Sequence, residues 1–102
     1  MNTADRIEGA TVWTVSKSAV GCEVGGEMVL LDLNSGTYFG MNAVGAEIWR
    51  QLNLGRSFDE IQQHLLERYR VSAQQCESEV LAFVGVLSQR GLIRNGSDEA
   101  SL

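Results

Sequence analysis

The chain has 102 residues, of which 44% are hydrophobic and 21% are charged, so it can bury one core and is unlike a disordered chain. Its formal net charge of −5 disfavours nucleic-acid binding, which depends on a basic surface. No apolar run is long enough to span a membrane, and residues 1–8 lack the apolar stretch of a signal peptide. These features favour a cytoplasmic protein.

The first half of the chain predicts an antiparallel sheet. Residues 1–18 are interpreted as an N-terminal arm, in which alternation at 11–16 predicts a short strand or an extended segment that docks Trp13. Three strands are predicted after the arm, at 19–24, 27–33 and 37–41. Apolar residues on both faces of the middle one predict a strand that is covered on both sides.

Turn residues connect these three strands closely. Gly25-Gly26 indicates a two-residue hairpin, because both positions can adopt positive φ without steric cost. Asn34-Ser35-Gly36 turns the chain into the strand Thr37–Met41. As the last strand in the sequence, Thr37–Met41 is expected to lie at the edge of the sheet.

The second half of the chain predicts three helices. They are expected from about Ala43 to Leu52, from Phe58 to Tyr69, and from the residue after Ser72 to about Arg90. Their predicted N-cap residues are Asn42, Ser57 and Ser72, with a capping box between Ser57 and Glu60. Gly91 suits the left-handed position after the last helix, and a frayed tail is expected over 95–102. The predicted class is α+β, winged helix-turn-helix-like, with a three-stranded antiparallel sheet followed by three helices over 19–94.

No residue pattern predicts catalysis. His64 is the only histidine and is expected to be an exposed helical residue. Cys22 and Cys76 lie far apart in the sequence and are interpreted as buried free thiols, not as zinc ligands or a disulfide. Nucleophile, phosphate-binding and metal-ligand motifs are absent from the sequence. We therefore predict no enzyme activity, no metal and no cofactor.

A binding surface is better supported, at the edge strand and the third helix. Val80, Phe83, Val84 and Leu87 form an ordinary core face, and Val86 with Ala82 beside it widens the apolar surface beyond that face. Two interpretations stay open. Either Val86 packs on Trp13, Trp49 or a dimer partner, or it lines a groove that takes an extended peptide against the edge strand.

Three segments carry a family resemblance. In chain order they are VLLDLNSGTYFGMNAVGAEIW, SFDEIQQHLLERY and LSQRGLI, and together they span roughly Val20 to Ile93. Their order and spacing resemble the PqqD family of peptide-modification chaperones, which are also called RiPP recognition elements. The pattern is more similar to the stand-alone domains of lasso-peptide clusters than to the pyrroloquinoline quinone chaperone.

The resemblance implies a non-catalytic domain that binds the leader segment of a ribosomally made precursor peptide and presents it to a modifying enzyme. In lasso-peptide clusters that partner is a leader peptidase, with a cyclase downstream; for the pyrroloquinoline quinone chaperone it is a radical S-adenosylmethionine enzyme. The leader is added as a strand beside the third strand and against the third helix. The implied peptide-binding residues are Thr37, Tyr38, Phe39, Gly40, Met41, Cys76, Glu79, Val80, Phe83, Val86 and Leu87.

Two other functions compete with leader binding. A winged-helix DNA-binding transcription regulator fits the helix order, but the third helix has Arg90 as its only basic residue, against Glu77 and Glu79. A structural dimerisation domain fits an exposed strand edge. The chain is expected to be a monomer or a strand-swapped dimer, and a dimer would not contradict leader binding.

Overall fold

The computed structural model describes residues 9–96, which form two antiparallel sheets and three helices. The elements are β1 Trp13–Val15, β2 Ala19–Val24, β3 Glu27–Asp32, β4 Thr37–Met41, α1 Ala43–Asn53, α2 Phe58–Arg68, α3 Ala73–Gln89 and β5 Ile93–Asn95. Strands β2, β3 and β4 form one sheet in that order, while β1 pairs with β5. The predicted α+β class, with three antiparallel strands in one sheet and three helices, is confirmed. Residues 1–8 of the predicted N-terminal arm and most of the expected frayed tail lie outside the described residues.

Local turn chemistry sets the register of the larger sheet. Gly25 and Gly26 have φ values of 60° and 85°, as the predicted hairpin between β2 and β3 requires. In the next turn the Gly36 N–H donates to the Asp32 carbonyl at 2.8 Å, and the Asn34 N–H donates to Asp32 Oδ1 at 3.0 Å. Phe39 is consequently paired with Leu30, which is fully buried.

Within residues 9–96, other elements cover only one face of the larger sheet. The expectation that β3 is covered on both sides is therefore wrong. Leu30 on the inner face is 0% exposed, whereas Val24, Leu33 and Tyr38 on or beside the outer face are 60%, 57% and 72% exposed. All three helices follow β4 in the chain. The helices pack on one another through α2, and α1 contacts β4, so the buried residues of the sheet lie on its inner face.

Capping residues begin the helices where the sequence predicts. The Gly45 N–H donates to Asn42 Oδ1 at 2.7 Å, and the Gln75 N–H donates to Ser72 Oγ at 3.0 Å. Both halves of the Ser57–Glu60 capping box are present. These hydrogen bonds satisfy N–H groups that have no partner within the helix.

A short fifth strand follows α3 where the sequence analysis did not predict one. Gly91 has a φ of 72°, and the Leu92 N–H donates to the Leu87 carbonyl at 2.9 Å, which reverses the chain toward β1. The resulting strand, β5, pairs with β1 and includes Asn95, so the expected frayed tail does not begin there. Both strands have three residues, which is too short to show an alternating pattern.

Trp13 joins the N-terminal segment to the core, as the sequence analysis expected. Its side chain is 4% exposed, and its ring meets the Phe58 ring edge to face with 6.2 Å between centroids. The Phe58 N–H also donates to the Thr11 carbonyl at 2.8 Å. The start of α2 is therefore held by β1 and the residues just before it.

Candidate functional site

Strand β4 lies at an edge of its sheet, as predicted. Among residues 9–96 it pairs with β3 alone, and the backbone groups on its other side face outward. Phe39 points to the inner face and is half-buried, while Tyr38 points to the outer face and is 72% exposed. An unpaired strand edge can accept a further strand.

One side of α3 faces this edge. Glu79, Phe83, Val86 and Arg90 recur at helical spacing on that side. The Arg90 Cζ atom lies 5.3 Å from the centroid of the Phe39 ring, a cation–π contact between the C-terminal end of α3 and β4.

A groove lies between α1 and α3, and we call it the α1–α3 groove. Its volume is about 420 Å³, and it begins at Asn42, the residue after β4. Its lining residues are Asn42, Val44, Gly45 and Ile48 from the α1 side and Gln75, Ser78, Glu79, Ala82, Phe83 and Val86 from α3. The open edge and this groove are thus adjacent.

The structure places the predicted wall residues of α3 on two different sides. Glu79, Phe83 and Val86 line the groove, and Val86 is 47% exposed, which favours the groove interpretation of Val86 over core packing. Three others face the core and do not line the groove: Cys76, Val80 and Leu87, with exposures of 2%, 0% and 0%. Because α3 packs on α2 as well as facing the groove, its apolar residues are divided between the two surfaces.

Sequence reasoning missed the contribution of α1 to the groove. Asn42 was predicted only as an N-cap, and no place in the binding surface was predicted for the other three lining residues of the α1 side, Val44, Gly45 and Ile48. A Cβ atom at Gly45 would lie 3.3 Å from Asn42 Oδ1 and 3.5 Å from Phe83 Cε1. The glycine itself was the available signal, because glycine inside a helix costs about 1 kcal/mol relative to alanine and allows other groups to approach the backbone.

Both cysteines are free thiols. Cys76 is buried, as predicted, and its Sγ lies 3.7 Å from the Gln62 carbonyl oxygen on α2. Burial, and then the charge of Glu79, raise the pKa of the Cys76 thiol. Cys22 is exposed on the outer face of the sheet, so the prediction that it is buried is wrong. Within residues 9–96 no cluster of histidine, cysteine and carboxylate side chains could hold a metal ion.

A polar cluster outside the groove connects α1 to α2. His64 Nε2 lies 2.6 Å from Glu47 Oε2, and Arg50 pairs with the other carboxylate oxygen of Glu47. The His64 side chain is 28% exposed, so it is less exposed than predicted. Burial acts to raise the pKa of Glu47, but the His64 hydrogen bond and the charges of Arg50, His64 and Arg68 together lower it from its ordinary value.

Replacing Glu47 with glutamine should lower the free energy of unfolding by about 1–2 kcal/mol at pH 7. Because the pKa of Glu47 is lowered in the folded protein, its charged carboxylate stabilises the fold at pH values above the ordinary pKa of a glutamate. This contribution is lost as the pH falls through the lowered pKa of the folded protein. The difference between wild type and E47Q should therefore shrink as the pH is lowered below about 4. Urea denaturation at pH 7 and at successively lower pH measures it.

Glu67→Gln is the matched control, because Glu67 is an exposed carboxylate on α2. Its replacement should change the free energy of unfolding by less than about 0.5 kcal/mol. Equal effects of E47Q and E67Q at pH 7 would contradict a stabilising role for the cluster.

Residues 9–96 thus form an α+β domain with an open sheet edge beside a partly apolar groove. The family described as coenzyme PQQ synthesis protein D (PqqD) matches residues 27–93. The match covers β3, β4, all three helices and the start of β5. The chain belongs to the PqqD family.

Two solved structures are similar to the chain. One is described as TbiB1 in complex with the TbiA(beta) leader peptide; it is 34% identical, with a TM-score of 0.71, over 78% of this chain and 93% of that one. The other is described as lasso peptide synthetase B1 complexed with the leader peptide; it is 28% identical, with a TM-score of 0.73, over 80% of this chain and 96% of that one. No curated protein matches significantly. In the described part of the chain, every helix is too short or too polar to cross a membrane.

Proposed function

We propose that this protein binds the leader segment of a ribosomally made precursor peptide and presents it to a modifying enzyme. The observation that carries the proposal is the open edge of β4 next to the α1–α3 groove. Two similar structures whose descriptions include a leader peptide support it. We further propose that it acts in the cytoplasm, where precursor peptides are made.

Strand addition explains how such a peptide binds. The backbone of residues 37–41 offers N–H and C=O groups to the incoming strand, and these hydrogen bonds supply affinity that does not depend on the peptide sequence. Alternate side chains of the added strand point toward the helices, where Glu79, Phe83 and Val86 select among them. Cys76, Val80 and Leu87 support this wall from the core and do not contact the peptide.

The domain supplies no catalysis in this proposal, and it needs no cofactor. A leader peptidase and a cyclase are the favoured partners. One similar structure is described as a lasso peptide synthetase B1, and both descriptions include a leader peptide. A radical S-adenosylmethionine enzyme, which the resemblance to the pyrroloquinoline quinone chaperone implies, is the alternative partner. The order of strands and helices also supports a winged-helix-like arrangement, but the net charge of −5 and the single basic residue of the α3 end, Arg90, disfavour DNA binding.

Titration with a synthetic leader tests the proposal. The peptide is taken from a short open reading frame beside the gene, labelled with a fluorophore and followed by anisotropy against a scrambled peptide of the same composition. We expect saturable binding of the leader and none of the scrambled peptide. Failure of every neighbouring leader to bind at high micromolar protein would overturn the proposed function.

Hydrogen exchange locates the bound peptide. The sheet has two edge strands within residues 9–96, β4 and β2, so each is a control for the other. We expect the peptide to slow exchange at the amides of 37–41 and to leave those of 19–24 unchanged, because α3 approaches β4 through the Arg90–Phe39 contact. Slower exchange at the amides of 19–24 alone would contradict peptide binding at the edge of β4.

A further inference from the structure

The α1–α3 groove contains one charged residue among its lining side chains. Val44, Ile48, Ala82, Phe83 and Val86 make most of its surface apolar. Its polar lining residues are Asn42, Gln75, Ser78 and Glu79, of which Glu79 alone carries a charge. The groove therefore combines an apolar wall with a single carboxylate.

That carboxylate has no cationic partner among the described residues. The ion pairs within residues 9–96 involve Glu47 and Glu60, and Glu79 takes part in none of them. Glu79 is half-buried, whereas Glu77 on the same helix is exposed. A bound peptide would withdraw this carboxylate further from water, where an unpaired charge is costly, so the groove offers an unfilled position for a cation.

On the basis of the proposed leader binding, we propose that Glu79 is a specificity residue that pairs with a lysine or arginine of the bound leader. A lysine or arginine side chain has an aliphatic stem that suits the apolar wall and a charged head that can reach a carboxylate at its border. A purely aliphatic side chain would fill the groove but leave the Glu79 charge unpaired in a drier environment. The occupant is thus a peptide segment with a basic residue at this position.

The charges along α3 also favour one end of this helix for the basic residue of the leader. Glu79 and Arg90 are eleven residues apart in the sequence, about 16 Å along the helix axis. Arg90 lies over Phe39 in the middle of β4, whereas Glu79 and Asn42 line the same groove beyond the end of β4. A leader that places its basic residue near Glu79 is attracted there and avoids repulsion by Arg90. Reversing the direction of the added strand would bring that basic residue toward Arg90, so the two charges favour one strand direction.

Glu79→Gln and Glu77→Gln test this specificity as a matched pair. Both remove one carboxylate from α3, but Glu77 does not line the groove. The probe is the labelled synthetic leader that binds the wild-type protein. We expect E79Q to bind it about tenfold more weakly than wild type, and E77Q to bind it within about twofold.

A second set of peptides identifies the partner of Glu79. Each lysine or arginine of the leader is replaced in turn by norleucine, which keeps an aliphatic stem and removes the charge. We expect one such peptide to bind wild type about tenfold more weakly and to show no further loss with E79Q, as a coupled pair requires. The affinity of wild type should also fall more steeply with added salt than that of E79Q.

The outcomes separate this inference from the proposed function. A leader that binds wild type and E79Q equally well, or one that binds tightly without any lysine or arginine, overturns the role of Glu79 and leaves leader binding intact. Failure of every neighbouring leader to bind any of the three proteins overturns leader binding itself. Circular dichroism of E79Q and E77Q confirms that both variants keep the helical content of wild type.

Discussion

Replacing Val86 with glutamate should weaken leader binding by about 30-fold while leaving the free protein folded. Val86 is 47% exposed and lines the α1–α3 groove, so a charged side chain there meets solvent in the free protein. Once a peptide covers the groove, the same charge loses water among the apolar lining residues, and this cost appears in the dissociation constant. Anisotropy titration with the synthetic leader measures the change.

Gln89→Glu is the control for Val86→Glu. Gln89 is exposed in the last turn of α3 and does not line the groove, so this variant adds the same charge to the same end of the helix. We expect Q89E to bind within about twofold of wild type, and both variants to unfold within about 1 kcal/mol of it. Equal binding by V86E and wild type would show that the peptide does not cover the groove. Phe83→Ala is a less selective test, since Phe83 is half-buried and also lies close to Gly45.

Replacing Trp13 with alanine should lower the free energy of unfolding by about 3–5 kcal/mol. The Trp13 ring is 4% exposed and contacts Phe58 edge to face, so its removal leaves a cavity between β1 and the start of α2. Domains of this size are commonly stable by only about 5–15 kcal/mol, so the loss is a large fraction of the total. Urea denaturation followed by far-ultraviolet circular dichroism measures it.

Val12→Ala provides the control for Trp13→Ala, because Val12 is the adjacent residue and is 40% exposed. Its replacement should cost less than about 1 kcal/mol. A loss below about 1 kcal/mol for W13A would mean that residues 1–18 are a detachable arm, separate from a domain over 19–94. The division of the chain at that point stays a prediction until this experiment is done.

Those parts of the fold that depend on neighbouring residues could be read from the sequence. The hairpin at Gly25-Gly26 and the helix starts at Asn42, Ser57 and Ser72 were predicted at the residues where the structure has them. Each is specified by hydrogen bonds or backbone angles within about four residues. The strand bounds 19–24 and 37–41 also agree, because turn residues flank both segments.

Predictions that depended on distant packing were less accurate. The strand β5 was missed, since its three residues are stabilised by pairing with β1, far away in the chain. Cys22 was expected to be buried, but it lies on the open face of the sheet. His64 was expected to be exposed, but the buried carboxylate of Glu47 on a neighbouring helix holds it.

The sequence by itself determined the order of β2, β3, β4 and the three helices, and the turns between them. It also determined the position of Thr37–Met41 as the last strand of its sheet. Local hydrogen bonding and apolar periodicity specify these features. Only the tertiary structure decided which apolar residues of α3 face the groove. Val80 and Val86 are equally apolar, yet one is fully buried and the other is 47% exposed. The difference arises because α2 covers one side of α3, while the other side faces a groove that α1 completes through Gly45.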